Sequence, residues 1–162
     1  MSRRIKLTQG YSTIVDDADY AFLSQFKWFA WISDGGAPYA ARATKRADGA
    51  KTTVRMHRVI LDVPVGLIVD HKNGDGLDNR RSNLRIATRQ QNQFNSGPTK
   101  KGASKFKGVY WSPPHKKWRA QITLSGVKKH LGLFVNEVDA AVAYEAVAKK
   151  HHGKFFRSSL HE

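Results

Sequence analysis

The stretch Val69-Asp70-His71-Lys72-Asn73-Gly74-Asp75-Gly76-Leu77-Asp78-Asn79-Arg80-Arg81-Ser82-Asn83-Leu84, followed by Arg85-Ile86-Ala87-Thr88-Arg89-Gln90-Gln91-Asn92, decides how this chain reads. An Asp-His pair enters a turn-rich loop in which Gly74 and Gly76 permit tight backbone, and two asparagines, Asn83 and Asn92, follow at fixed distances. A short helix is expected over Thr88–Asn95, which places Asn92 on a helix and Asn83 at the loop exit. His71 can take a proton from water near neutral pH, because an unperturbed imidazole titrates at about 6.5. Asp70 and Asn92 offer hard oxygen donors of the kind magnesium accepts while keeping most of its waters. Asn83, with its short amide, suits a local backbone anchor. Adjacent residues on a strand point to opposite faces, so Asp70 and His71 serve one site only across a distorted turn or from the strand edge. Taken one at a time, these residues are equally compatible with an ordinary Gly/Asn turn.

Working outward, the composition supplies a substrate class. The 162 residues hold 28 Lys+Arg against 13 Asp+Glu, a formal charge of +15. Such an excess raises the local concentration of polyanions and speeds their capture, which points to nucleic acid. The absence of cysteine removes disulfide scaffolds, thiolate-held zinc and thiol catalysis together. No apolar run approaches the roughly 20 residues that span a bilayer. The basic N-terminus leads into Leu7-Thr8-Gln9-Gly10, not into the apolar core of a signal segment. The expectation is an intracellular, cytoplasmic protein of a phage or bacterial host, with no membrane partner and no small-molecule substrate.

The segment Ser96–Lys105 is rich in Gly, Pro, Ser and Lys and lacks a large apolar residue, so 97–104 reads as a linker between a domain at 1–96 and another at 105–162. Both are basic, +6 for 1–96 and +9 for 97–162. In the first, Asp16–Phe26 has helical spacing and Lys27–Ile32, Pro38–Thr44 and Thr52–Arg55 read as strands, with turns at Asp34-Gly35-Gly36 and Arg46–Gly49. Trp28, Phe29 and Trp31 read as packed sheet residues. In the second, Phe106–Trp111, Trp118–Leu124 and Lys128–Phe134 are expected strands. A helix is expected from the cap Asn136, with Asp139 as in a capping box, to a stop at Gly153. Trp118, Ala120 and Ile122 alternate with Arg119, Gln121 and Thr123, so one sheet face packs on the helix and the other is polar. On the third strand Lys128 and His130 share one face, while Lys129, Leu131 and Leu133 share the other. A polar, basic face on a short sheet is equally a solvated surface or a groove reader.

Jointly, Asp70-His71, eleven residues, Asn83, eight residues and Asn92, with Asn73-Gly74-Asp75 and Asp78-Asn79 between, resemble the HNH nuclease family, most closely its H-N-N branch of mobile phage and intron-encoded endonucleases. The resemblance covers about residues 52–96. It implies a ββα-metal core, with Asp70 and Asn92 as metal ligands, His71 as general base and Asn83 as loop organiser. It also implies Mg²⁺ as cofactor, with Mn²⁺ as a substitute, and Arg58 near phosphate; His57 is expected as a packed histidine.

Residues 105–160 resemble the Apetala-two, ethylene-response-factor type of DNA-binding domain through Phe106-Lys107-Gly108-Val109, Lys117–Ile122, Leu131–Phe134 and Asp139–Tyr144. That resemblance implies a three-stranded sheet laid in the major groove of double-stranded DNA. It places Lys107, Gly108, Tyr110, Thr123, Lys128, His130 and Tyr144 at contact positions; Arg119 and Gln121 join them from the polar face. Several arginines of that family are absent, with Tyr110 and Thr123 in their places.

The expected fold is therefore α+β: a nuclease core with a small β-rich N-terminal extension, plus a three-stranded antiparallel sheet on one helix. The expected function is a metal-dependent, site-preferring nicking endonuclease. The alternatives are a catalytically inactive DNA-binding regulator or architectural protein, and an RNA-binding protein.

Overall fold

The computed structural model describes residues 1–33, 36–98 and 102–160. The chain is α+β and divides into two compact units, Met1–Asn92 and Gln93–Glu162. The expected turn at Asp34-Gly35 and the middle of the expected linker, 99–101, lie outside the described residues.

The first unit begins with an antiparallel hairpin, β1 (Ser2–Lys6) and β2 (Ser12–Asp16), which the sequence reading had not resolved as strands. Helix α1 (Asp17–Leu23) follows, shorter than expected because the chain turns at Ser24 to bring Trp28 inward, its Nε1 donating to Leu23 O at 2.8 Å. Strands β3 (Phe29–Ile32), β4 (Pro38–Lys45) and β5 (Lys51–Arg55) form an antiparallel sheet with β4 central. A short helix, α2 (Met56–Ile60), leads to a second hairpin, β6 (Ile68–His71) and β7 (Leu84–Ala87), and then to α3 (Arg89–Asn95), whose last residues, from Gln93, belong to the second unit. Ile5, Val15, Leu23, Trp28, Ala40, Met56, Ile60, Val69 and Leu84 make one core, so every element except β3, β5 and α3 contributes to it.

Helix α3 starts where the sequence places it. Thr88 Oγ1 accepts from Gln91 N at 3.1 Å while Gln91 Oε1 accepts from Thr88 N at 2.8 Å, a reciprocal capping box.

In the second unit β8 (Val109–Ser112), β9 (Lys117–Leu124) and β10 (Val127–Phe134) form an antiparallel sheet with β9 central, covered by α4 (Glu137–His152). The helix spans the expected residues, but Asn136 does not cap it with its side chain; its Nδ2 donates to Asp139 Oδ2 instead. Ala120 and Ile122 are buried as the alternation requires, against Ala140, Ala141, Tyr144 and Ala148.

Two expectations are corrected here. A β-bulge between His130 and Gly132 shifts the register, so Gly132 pairs with Ala120 and Leu133 with Arg119. Directly opposed residues share a face, so Leu133 lies with Arg119 on the outer face and not with Lys129. The linker is also shorter than its composition suggested. Ser104 is buried and donates to Glu137 Oε1 at 2.7 Å, and Lys105 N reaches the same oxygen at 3.1 Å, so the second unit begins before residue 105.

Candidate active site

The connection from β6 to β7, residues 72–83, closes on itself through side chains. Asn83 Oδ1 accepts from Asn73 N at 3.1 Å, and Asn83 Nδ2 donates to Asn73 Oδ1 at 3.0 Å and to Asp78 O at 2.8 Å. One buried amide thus joins both limbs and the tip of the loop. Asp78 is held bidentately by Arg80, Nε to Oδ1 at 2.8 Å and Nη2 to Oδ2 at 2.6 Å, and also accepts from Asn73 Nδ2 at 3.0 Å. The Arg80 guanidinium keeps the Asp78 carboxyl below its ordinary range.

The N-terminal hairpin supports this loop. Ile14 N donates to Leu77 O at 2.9 Å and Asn79 N to Ile14 O at 2.8 Å, while Arg81 N and side chain engage Asp16 and Asp19. Gly76 permits the close approach on the other side, since a Cβ there would stand 2.5 Å from Pro38 O and 2.7 Å from the Tyr39 ring.

Asp70 and His71 end β6, both buried. The strand stays in register through them, Asp70 opposite Arg85 and His71 opposite Leu84, so no distorted turn joins their side chains and they occupy successive positions of a regular strand. Asp70 Oδ2 accepts from Arg85 Nε at 2.7 Å and pairs with its Nη2 at 2.6 Å. His71 Nε2 stands 3.2 Å from Asn79 Oδ1. Around the imidazole are the ring of His57, edge to face at 5.0 Å between centroids, and that of Tyr39 at 5.8 Å. Burial pushes the His71 pKa below the ordinary histidine value, against the opposing pull of its bond to Asn79 and of Asp70, Asp75 and Asp78. His57 is indeed buried; its desolvation and the neighbouring His71, Arg55 and Arg58 lower its pKa to about 3, so it packs as a neutral ring.

Asn92 stands on α3, half-buried, its N–H donating to Thr88 O at 3.0 Å. No hydrogen bond of the described structure draws it to Asp70 or His71. Arg58 is exposed on α2. Among the described residues no group of three His, Asp or Glu gathers as a metal cage. Asp70 and Asn92 would therefore supply one carboxylate and one amide oxygen, a sparse hard-donor set that fits a cation such as magnesium, which keeps several waters.

The sequence reading missed Asn79, Tyr39 and Thr13. Asn79 stands in the motif beside Asp78 with no role assigned to it from sequence, and its setting depends on Thr13, 66 positions away.

The second unit sorts its expected contact residues into two groups. Tyr110, Arg119, Gln121, Thr123, Lys128 and His130 fall on one sheet face by register, Tyr110 opposite Arg119, His130 opposite Gln121 and Lys128 opposite Thr123. Lys107, Gly108 and Tyr144 are built into the unit instead. Lys107 Nζ donates to Phe94 O at 3.1 Å, to Ser96 O at 2.9 Å and to Gln93 O, so its cation serves the C-terminal carbonyls of α3. Tyr144 is buried, and a Cβ on Gly108 would come within 2.1 Å of its ring, so that glycine is there for close packing.

Comparison with known proteins points to a family for the stretch that forms this loop. Residues 62–94 match the model of an HNH endonuclease family. The chain is 30% identical over 95 residues to protein 3.8 of Escherichia phage T7, an alignment covering 59% of this chain and 78% of that protein. Residues 62–94 thus form an HNH endonuclease domain. It is also 27% identical over 144 residues to an uncharacterized HNH endonuclease of Acanthamoeba polyphaga mimivirus, over 84% of this chain and 68% of that protein. No solved structure matches. The protein is thus a nuclease, with nucleic acid as its substrate class. No helix of the described residues is long and apolar enough to cross a membrane.

Proposed function

We propose that this HNH endonuclease is a metal-dependent enzyme that nicks double-stranded DNA with a site preference, in the manner of the homing-type H-N-N branch, and leaves a 5′-phosphate and a 3′-hydroxyl. The observation that carries the reading is His71, buried beside Asp70 at the mouth of a loop that Asn83 clamps from inside. A general base must be held in a single orientation to be effective, and a neutral imidazole walled by rings meets that need.

Asp70 and Asn92 would hold Mg²⁺ or Mn²⁺, whose bound form supplies charge neutralisation at the phosphate and its leaving oxygen. Arg85, paired with Asp70 Oδ2, orients the carboxylate on the strand. His71 accepts the proton of the attacking water, and the phosphorus–O3′ bond breaks as the new phosphorus–oxygen bond forms. Arg58 is proposed to touch a neighbouring phosphate.

The second unit is proposed as an ethylene-response-factor-like reader that sets its sheet face on duplex DNA through Tyr110, Arg119, Gln121, Thr123, Lys128 and His130. Three aspects of the unit support this. The three strands carry no acidic residue, its described acids Glu137, Asp139 and Glu145 all stand on α4, and two of them are engaged by Ser104 and by Ser158 and Ser159.

A supercoiled-plasmid assay tests the whole. Nicked circles should form with magnesium or manganese, disappear with chelator, and form about 10²–10⁴-fold more slowly for His71→Ala. Equal behaviour of wild type and His71→Ala would remove the catalytic assignment.

A further inference from the structure

Asn79 lies outside the ligand and base positions of the motif, yet it is the fully buried partner of His71, and we propose that it is a positioning residue that fixes the tautomer of the general base. Its consequence for catalysis rests on the endonuclease reading above; the hydrogen bonds that fix the tautomer do not. The Thr13 hydroxyl has a single proton, which it donates to Leu77 O at 2.7 Å. Its 2.7 Å contact with Asn79 is therefore one in which the hydroxyl accepts, and only Nδ2 of the amide can donate there. The other N–H of Nδ2 faces Gly76 O at 3.4 Å. This turns Oδ1 toward His71 Nε2. A carbonyl oxygen has no proton to give, so the ring donates: neutral His71 carries its hydrogen on Nε2 and its lone pair on Nδ1.

The frame resists the alternative. Thr13 and Asn79 are both fully buried, and the backbone bonds from Ile14 N to Leu77 O and from Asn79 N to Ile14 O hold the two segments side by side. A flipped amide would set Nδ2 against Nε2 and Oδ1 against a hydroxyl whose proton is already committed. The base therefore accepts the water proton at Nδ1, and Asn79 Oδ1 goes on accepting from Nε2–H in the imidazolium that results. The N-terminal hairpin thereby becomes part of the catalytic apparatus, since Thr13 on β2 sets the amide that sets the ring.

Long-range ¹H–¹⁵N spectra of the full chain with labelled histidine, at pH 7.5, read the tautomer directly. Wild-type His71 is expected to show the Nε2–H pattern. Asn79→Leu is expected to give a mixed tautomer and to lower kcat for plasmid nicking by about 100-fold while KM for DNA stays unchanged. Asn79→Asp, whose carboxylate still accepts from Nε2–H, should recover about tenfold of that loss. An Nδ1–H pattern in the wild type overturns the proposal, as does a folded Asn79→Leu protein with kcat within about threefold of wild type. If Asn79→Leu fails to fold, the wild-type spectrum and Asn79→Asp decide, and a loss in Asn79→Asp as large as in His71→Ala counts against the proposal. An Nε2–H spectrum in a protein that nicks nothing would sink the endonuclease reading and leave the tautomer standing.

Discussion

Around the loop of the first unit the arginines are answered one by one: Arg80 by Asp78, Arg81 by Asp19 and Arg85 by Asp70. On the sheet of the second unit Arg119, Lys128 and His130 stand on strands that hold no acid. Both units are basic, but the charge does different work in each. In the first it is consumed in fixing a loop: Arg80 and Arg81 stay part-exposed while the Arg85–Asp70 pair is largely buried, and such pairs contribute more geometry than energy. In the second it remains directed outward, where it can neutralise phosphates and release their counterions. A formal charge of +15 is therefore no single property of this chain; on the function proposed above, catalysis and capture would draw on separate portions of it.

The largest expected effect tests whether the two roles are separable. His71→Ala should lower the nicking rate by about 10²–10⁴-fold, the range a general base contributes, while duplex affinity in a gel-shift titration stays within about twofold of wild type. A variant that loses affinity in proportion to rate would show that the loop also carries capture, and the division would fall.

Next comes a change that damages the second unit alone. Gly108 has φ +73°, and an added Cβ would meet the Tyr144 ring at 2.1 Å and Gln121 O at 2.9 Å. Gly108→Ala should cost about 2–4 kcal/mol, since overpacking and a left-handed backbone both oppose it. Hydrogen exchange should accelerate across 93–160 and remain unchanged in Ile68–Ala87. Uniform acceleration would mean that the two units unfold as one.

Much of this was legible in local sequence. The spacing from Asp70 to Asn92 carried the family, because hairpin, loop and helix are consecutive and their polar residues act within one short stretch. The helix over Thr88–Asn95 was legible for the same reason, and the structure adds the reciprocal Thr88–Gln91 cap that starts it. What escaped was non-local or depended on one extra residue. Asn79 acquires its meaning from Thr13 on a hairpin far upstream. Leu133 changed faces because Leu131 is bulged, and strict alternation has no way to anticipate an inserted residue. Lys107 falls at a DNA-contact position by resemblance, yet its ammonium already serves the carbonyls at the end of α3. Charge in a sequence does not announce whether the fold has already used it.

The cations of the sheet face provide a smaller and more graded test. Arg119→Ala and Lys128→Ala should each weaken duplex binding several-fold and reduce the slope of log affinity against log salt by about one. The nicking rate at saturating DNA should hold, the opposite signature to that of His71→Ala. Fluorescence anisotropy over a salt series, with plasmid nicking beside it, measures both. An unchanged slope in both variants would remove this face as the capture surface.

The smallest effect concerns His152, where the second unit also holds a buried imidazole but without the polar partners that His71 enjoys. Its ring stacks on Phe94 at 3.9 Å between centroids, and neither ring nitrogen has a hydrogen-bond partner in the described structure. Desolvation, with Lys107 and His151 nearby, lowers its pKa to about 4. Because the unfolded chain takes up this proton near 6.5 and the folded chain only near 4, the unfolded state holds more protons between those values. Stability of the second unit should therefore fall as pH drops from 6.5 toward 4, with no further loss from this group below that. His152→Phe keeps a stacking ring and removes the proton site, so it should flatten that portion of the curve and leave the variant the more stable protein at pH 5. Carboxylates that titrate in the same window act on both proteins and cancel in the comparison. Denaturant midpoints at pH 5 and pH 7 provide the measurement, and parallel slopes for the two proteins would show that His152 is protonated in the fold without cost.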